Sequence, residues 1–164
     1  MSLQLMIAVD GSLESLQAVH KAIALVDAGL RAHIALVHVQ QPASWLELAT
    51  HDADDIATAA VEAGEHLMGA AMALLDAQGV GYTTEVVLGE PASVLVDMAQ
   101  EVQADLVLIG ARGMGAIESV LVGSVSKALV TRCTQPVLVV KMPEDPAQFV
   151  LGELGDNADA VDAP

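Results

Sequence analysis

Apolar residues recur along this chain in two alternating rhythms. Residues 5–9, 106–109 and 137–140 are unbroken apolar runs, the first extended to Leu3 as a strand over 3–9, and residues 32–39 end in Leu36-Val37-His38-Val39. Runs of this length and composition read as strands buried on both faces. Residues 82–88 join them, since Thr83, Thr84, Val86 and Val87 favour extended backbone. Between the runs the spacing is helical. Leu16, Val19, Ile23 and Val26 predict a helix reaching Asp27, with Gly29 as its stop. Ile56, Ala60, Ala63, Leu67, Ala71 and Leu74 predict a long helix over 56–77, broken by Gly79-Val80-Gly81. Gly89-Glu90-Pro91 opens a helix that buries Val94, Leu95, Met98 and Val102, with Pro91 in its first turn. A last helix covers 124–131, with Ser124 or Ser126 as N-cap. Residues 40–55 form a loop containing Pro42 and Trp45. Strands therefore alternate with helices. That order predicts an α/β fold, a single-domain five-stranded parallel sheet with right-handed crossovers and helices on both faces, Rossmann-like in kind.

The rhythm stops near residue 142. Residues 143–164 hold Glu144, Asp145, Glu153, Asp156, Asp159 and Asp162 and no lysine or arginine. We read 1–142 as the domain and 143–164 as a disordered acidic tail, with a short docking helix through Phe149, Val150, Leu151 and Leu154 as the other reading. Charge narrows the function. The 164 residues carry 6 Lys and Arg against 22 Asp and Glu, a formal net charge of −16. So few cations make no basic face, which argues against nucleic acid and against anionic lipid as partners. No apolar run approaches the ~20 residues of a membrane span. No signal peptide is recognised at the N-terminus, and Cys133, the single cysteine, forms no intrachain disulfide. The expectation is a cytoplasmic protein.

The candidate chemistry lies after the fourth strand. Gly110, Gly113 and Gly115 follow it closely, and Gly123-Ser124-Val125-Ser126 opens the last helix. Small residues let a ligand approach backbone N–H groups, and a helix N-terminus offers both donors and a positive dipole end. This is phosphate-binding chemistry. Gly110 and Gly113 would turn the backbone beneath the phosphates, and the two serine hydroxyls would add donors. Arg112 is either a phosphate partner or a surface loop residue. The stretch is not a P-loop, because it lacks Gly-Lys-Ser/Thr, and it does not have the spacing of a dinucleotide fingerprint.

The spacing Gly110-x2-Gly113-x9-Gly123-Ser124 resembles the nucleotide-binding signature of the universal stress protein family. Asp10-Gly-Ser, Gly89-Glu-Pro, Ala104-Asp-Leu and Gln135-Pro-Val-Leu-Val-Val resemble the family in order and spacing, over residues 3–141. The resemblance implies the strand order 3-2-1-4-5, which puts a topological switch point between strands 1 and 4. Ligands bind outside the carboxyl ends of strands at such a point. Asp10 and Gly110 would meet there. It further implies that ATP, or ADP or AMP, binds with Mg²⁺, that Asp10 helps hold the nucleoside, and that the backbone of Val39 faces the adenine. Ala8 and Val9 would line the base pocket, and Met114 would cover the loop. A homodimer is implied, for which the strand of Val137, Leu138, Val139 and Val140 offers an exposed edge. So is a stress-response role; nucleotide occupancy would then alter the dimer or the hold on a regulatory protein partner.

Each of these residues also has a plainer reading. Asp10 can support the cap of the first helix through Ser12. His51-Asp52-Ala53-Asp54-Asp55 suits a solvated helix start better than a metal site. His33 and His38 are five apart in a strand and point to opposite faces, a poor metal pair. Trp45 is a loop anchor or a partner contact. No general base or Ser-His-Asp arrangement accompanies the glycines, so the chain reads as a binder, with slow ATP hydrolysis a weaker alternative. A further alternative is an interaction module, acting on a transporter or kinase independently of nucleotide.

Overall fold

The computed structural model describes residues 2–41, 53–113 and 122–143. Five strands, β1 (Leu3–Ala8), β2 (Ala32–Gln40), β3 (Tyr82–Leu88), β4 (Leu106–Gly110) and β5 (Val137–Val140), alternate with four helices among the described residues. These are α1 (Leu13–Asp27), α2 (Ala53–Ala77), α3 (Pro91–Glu101) and α4 (Ser124–Arg132). All strand pairs are parallel, in the order β3-β2-β1-β4-β5. The sheet and its order are those the sequence and the resemblance imply. Gly115, Trp45, His51-Asp52, Met114 and the tail beyond Pro143 lie outside the described residues.

The central strands alternate their apolar side chains between two cores, as period-2 geometry requires. Leu5, Ile7, Ile34, Leu36 and Leu108 pack with Val19 of α1 and Met68 and Leu75 of α2. Met6, Ala8, Val37, Val107 and Ile109 pack with Leu95 and Met98 of α3 and Leu129 of α4. With both faces covered, the runs of β1, β2 and β4 have no polar side to show.

Helix ends follow their local chemistry. Ser12 caps α1, its hydroxyl accepting from Ser15 N at 3.1 Å. Glu90 caps α3, accepting from Ala92 N and Ser93 N, and these backbone donors hold its carboxyl below the usual glutamate value. Gly29 and Gly79 take φ of +102 and +64 just past α1 and α2, where a left-handed residue ends the helix. Two readings of the sequence need correction. Neither Ser124 nor Ser126 is the N-cap of α4; Gly123 is, and no side chain bonds to this end. The extended conformation of Gly123 (φ −68, ψ 164) puts Ser124 in the first turn. The inward face of α2 is also turned from the expected stripe. Gly64, Met68, Ala71 and Leu75 are buried, while Ala63 is exposed.

Candidate functional site

Where β1 and β4 end side by side, the sheet opens into a cavity of about 770 Å³. Small-molecule pockets are on the order of 300–1,000 Å³. The described candidates from sequence all line it: Ala8, Val9 and Asp10 after β1, Val39 in β2, Gly110, Arg112 and Gly113 after β4, and Gly123, Ser124, Val125 and Ser126 at α4. Chain segments about a hundred residues apart thus share one crevice.

The β1 end is built on Asp10. Its Oδ1 accepts from the backbone N–H of Ser12 at 3.0 Å and from the Ser12 hydroxyl. Ser12 in turn caps α1, so the capping and cavity-lining readings of Asp10 hold together in one residue. Its Oδ2 faces Gly113, where an added Cβ would stand 2.7 Å away. Gly113 is therefore small because the Asp10 carboxylate lies against it.

The β4 end is built on Gly110. Its expected role was to turn the chain under a ligand. The nearer constraint is α1: a Cβ on Gly110 would stand 2.7 to 2.8 Å from Glu14 backbone and Cβ atoms. The close approach brings Glu14 within reach of the loop, and its Oε1 lies 3.2 Å from Arg112 Nη2. Arg112 thus lines the cavity while ion-paired, so the two readings of it as phosphate partner or surface residue are not exclusive.

The start of α4 presents its donors to the same space. Gly123 N donates to Ala111 O at 2.7 Å, and Lys127 N closes the first turn on Gly123 O. The N–H groups of Ser124, Val125 and Ser126 lie between, at the positive end of the helix with no side-chain cap. The Ser126 hydroxyl departs from expectation. It is buried and donates to the carbonyls of Gly110 and Ala111 at 2.9 and 3.0 Å. Its single proton ties α4 to the end of β4 and is not offered to a ligand; Ser124, exposed, keeps a hydroxyl for that purpose.

Other residues entered the site without a sequence signal strong enough to select them. Among the described residues the buried polar side chains are Ser15, His38 and Ser126, and all three line this cavity. His38 is 4% exposed and its Nδ1 lies 2.8 Å from Val9 O. A carbonyl only accepts, so Nδ1 carries the proton; Nε2 faces the side chain of Gln40 at 3.2 Å. The one hint in sequence was a polar residue inside the apolar end of β2. Leu67 of α2 and Pro91 and Leu95 of α3 supply apolar walls. No group of three or more His, Cys, Asp or Glu side chains converges among the described residues. No described helix is long and apolar enough to cross a membrane.

The arrangement suits a ligand with a flat apolar part among aliphatic side chains and an anionic part at the start of α4. Comparison with known proteins agrees with the fold. A Staphylococcus aureus (strain USA300) protein named for the universal stress family is 32% identical over 146 residues, 88% of this chain and 87% of that one. A universal stress protein solved in complex with cyclic AMP is 28% identical, with a TM-score of 0.63 over 84% of this chain and 96% of its own. An Arabidopsis thaliana family member solved with AMP bound is 23% identical and shares the fold, with a TM-score of 0.63 over 88% of this chain and 98% of its own. The sequence profile of the Universal stress protein family matches residues 1–141. With its parallel sheet, its switch-point cavity and this match over most of its length, the chain belongs to the universal stress protein family.

Proposed function

We propose that this protein binds an adenine nucleotide in the cavity between the ends of β1 and β4, and that occupancy alters its self-association or its hold on a regulatory partner. The observation that carries this reading is the meeting of Asp10, the glycine loop and the uncapped start of α4 around one cavity. The base would lie among Ala8, Val9, Val39 and Leu95, within reach of the Val39 backbone. The phosphate would lie against the N–H groups of Ser124, Val125 and Ser126 and the Ser124 hydroxyl. The relatives solved with cyclic AMP and with AMP support an adenine ligand. A Mg²⁺ ion would enter on the phosphates of a di- or triphosphate, with Asp10 the carboxylate lining the cavity. Self-association would run through the outer edge of β5.

Calorimetric titration with Mg-ATP, AMP and cyclic AMP tests the binding, alongside a Gly123→Val, Ser124→Ala variant. A Cβ at Gly123 stands 3.5 Å from Ala111 O, an ordinary contact, so the variant is expected to keep its fold while crowding the phosphate position. Micromolar binding by the parent and a loss of at least about tenfold in the variant are expected, on the scale of one lost charge-assisted bond. Absence of binding to all three ligands by the folded parent would overturn the proposal.

A further inference from the structure

We propose that Gln40, locked in one orientation by His38, makes the cavity select an aminopurine such as adenine over an oxopurine such as hypoxanthine; this rests on the nucleotide reading above. The starting point is a buried imidazole with one permitted arrangement. His38 is 4% exposed and its Nδ1 lies 2.8 Å from Val9 O, so the Nδ1 proton is committed to that carbonyl. Helix α2 closes on the ring as well: a Cβ on Gly64 would stand 2.8 Å from His38 Cδ2. The ring can neither turn over nor exchange its tautomer without setting a lone pair against Val9 O. With its one proton at Nδ1, it presents a lone pair at Nε2.

That lone pair decides how the Gln40 amide lies. With Oε1 on the near side, 3.2 Å from Nε2, two acceptors would face each other. Turned over, the amide gives its NH2 group to Nε2, and its carbonyl oxygen takes the second branch. Amide oxygen and nitrogen are alike in shape, and their bonding partners assign them. Among the described residues the second branch has no hydrogen-bond partner, and no buried side-chain polar atom is left unsatisfied. The second branch is therefore open, in a half-buried residue that lines the cavity. The backbone of Gln40 is fixed too, its carbonyl accepting from Gly89 N at 3.0 Å. Gln40 follows Val39, whose backbone is proposed to face the base. The amide thus sets a single acceptor beside the base edge. An exocyclic amino group donates to it. A carbonyl at the same ring position meets acceptor with acceptor, and the amide cannot turn to suit it without bringing its oxygen back onto Nε2. Gln40 is the specificity-determining residue and His38 its positioning residue.

The test is calorimetry on the full chain at about pH 8, above the ordinary range in which an imidazole gains a second proton. The probes are AMP, inosine monophosphate and purine riboside monophosphate, which carry an amino group, a carbonyl and a hydrogen at the same ring position. The parent is expected to favour AMP over inosine monophosphate by at least about tenfold, with purine riboside monophosphate between. Gln40→Leu is expected to weaken AMP by about three- to tenfold and purine riboside monophosphate by less than about twofold. His38→Asn keeps a donor for Val9 O and removes Nε2, which frees the amide to turn. It is expected to bring inosine monophosphate within about threefold of AMP, whereas a merely structural role would weaken all three probes alike. Nitrogen NMR of the parent reads the lock directly: the His38 ring is expected to carry a proton on Nδ1 and none on Nε2. A proton on Nε2 would overturn the proposal. So would an AMP preference that survives Gln40→Leu, or an equal loss of all three probes in His38→Asn. If none of the three binds the folded parent, the nucleotide reading falls and this proposal falls with it. If all three bind the parent equally, only this proposal falls.

Discussion

Gly110 and Gly123 belong to one glycine pattern and answer to different constraints. Gly110 is small because the backbone of α1 lies against it; Gly123 has room for a side chain within the protein. Gly110→Ala is accordingly expected to destabilise the fold by about 1–3 kcal/mol, the range for forcing extra volume into a packed contact. Gly123→Ala is expected to change stability by less than about 1 kcal/mol, since its extended φ suits any residue. Urea unfolding of the two variants separates them, and equal losses would contradict the packing account. The sequence pointed to both glycines from their spacing alone. It did not show which one serves packing, because the atoms pressing on Gly110 belong to Glu14, nearly a hundred residues earlier. The role of Ser126 is hidden from the sequence for a similar reason. That its proton goes to carbonyls depends on where β4 ends, and spacing does not give that. His38 shows in the sequence only as half of a poor metal pair, and its bond to Val9 O follows from a strand pairing that periodicity cannot supply.

Among the elements, strands were read within about a residue of their ends, since unbroken apolar runs bounded by turn residues leave little freedom. Strand order came from the family resemblance, not from periodicity. The inward face of α2 was read off by part of a turn. Alanine and glycine occupy so much of that helix that hydrophobic contrast does not fix its rotation. Close approach fixes it instead: Gly64 lies where a Cβ would stand 2.7 Å from Val86 Cγ1 and 2.8 Å from His38 Cδ2. Gly69, on the same helix, has nothing within 4 Å. The two glycines should therefore respond in opposite directions to the same change. Gly69→Ala is expected to stabilise by about 0.5–1 kcal/mol, the helix-propensity gain alone. Gly64→Ala is expected to destabilise by about 1–3 kcal/mol despite that gain, by pushing on Val86 and on the histidine beside the cavity. Chemical denaturation of both variants reads the sign directly.

For the whole molecule, the open question posed by the sheet is its two edges. β3 turns Thr83, Thr84 and Glu85 to solvent, polar residues that blunt an edge. β5 holds Val137, Leu138 and Val139 half-buried at the other edge, with no described element beyond it. An apolar edge of this kind is what the proposed dimer would cover. Val139→Lys is expected to give monomers in light scattering at micromolar concentration; an unchanged mass would rule out that interface.

The place of β1 in the sheet has a consequence for the order in which the protein is made. β1 leaves the ribosome before the other four strands of this sheet, and its partner on one side, β4, is paired through Leu5↔Leu106 and Met6↔Val107. Gln4 N also donates to Asp105 Oδ2, 101 residues away along the chain. A strand destined for the middle of the sheet thus waits, with one side open, until a partner 101 residues further on has been made, its early companions being α1 and β2. Contacts of such sequence separation form slowly, because a long loop must close before they contribute. The crevice exists only after that closure, so an incomplete chain has Asp10 and the β1 end but nothing to complete the other wall. The proposed nucleotide site therefore arrives all at once, as a property of the finished sheet and not of any fragment released before β4 and α4 have emerged.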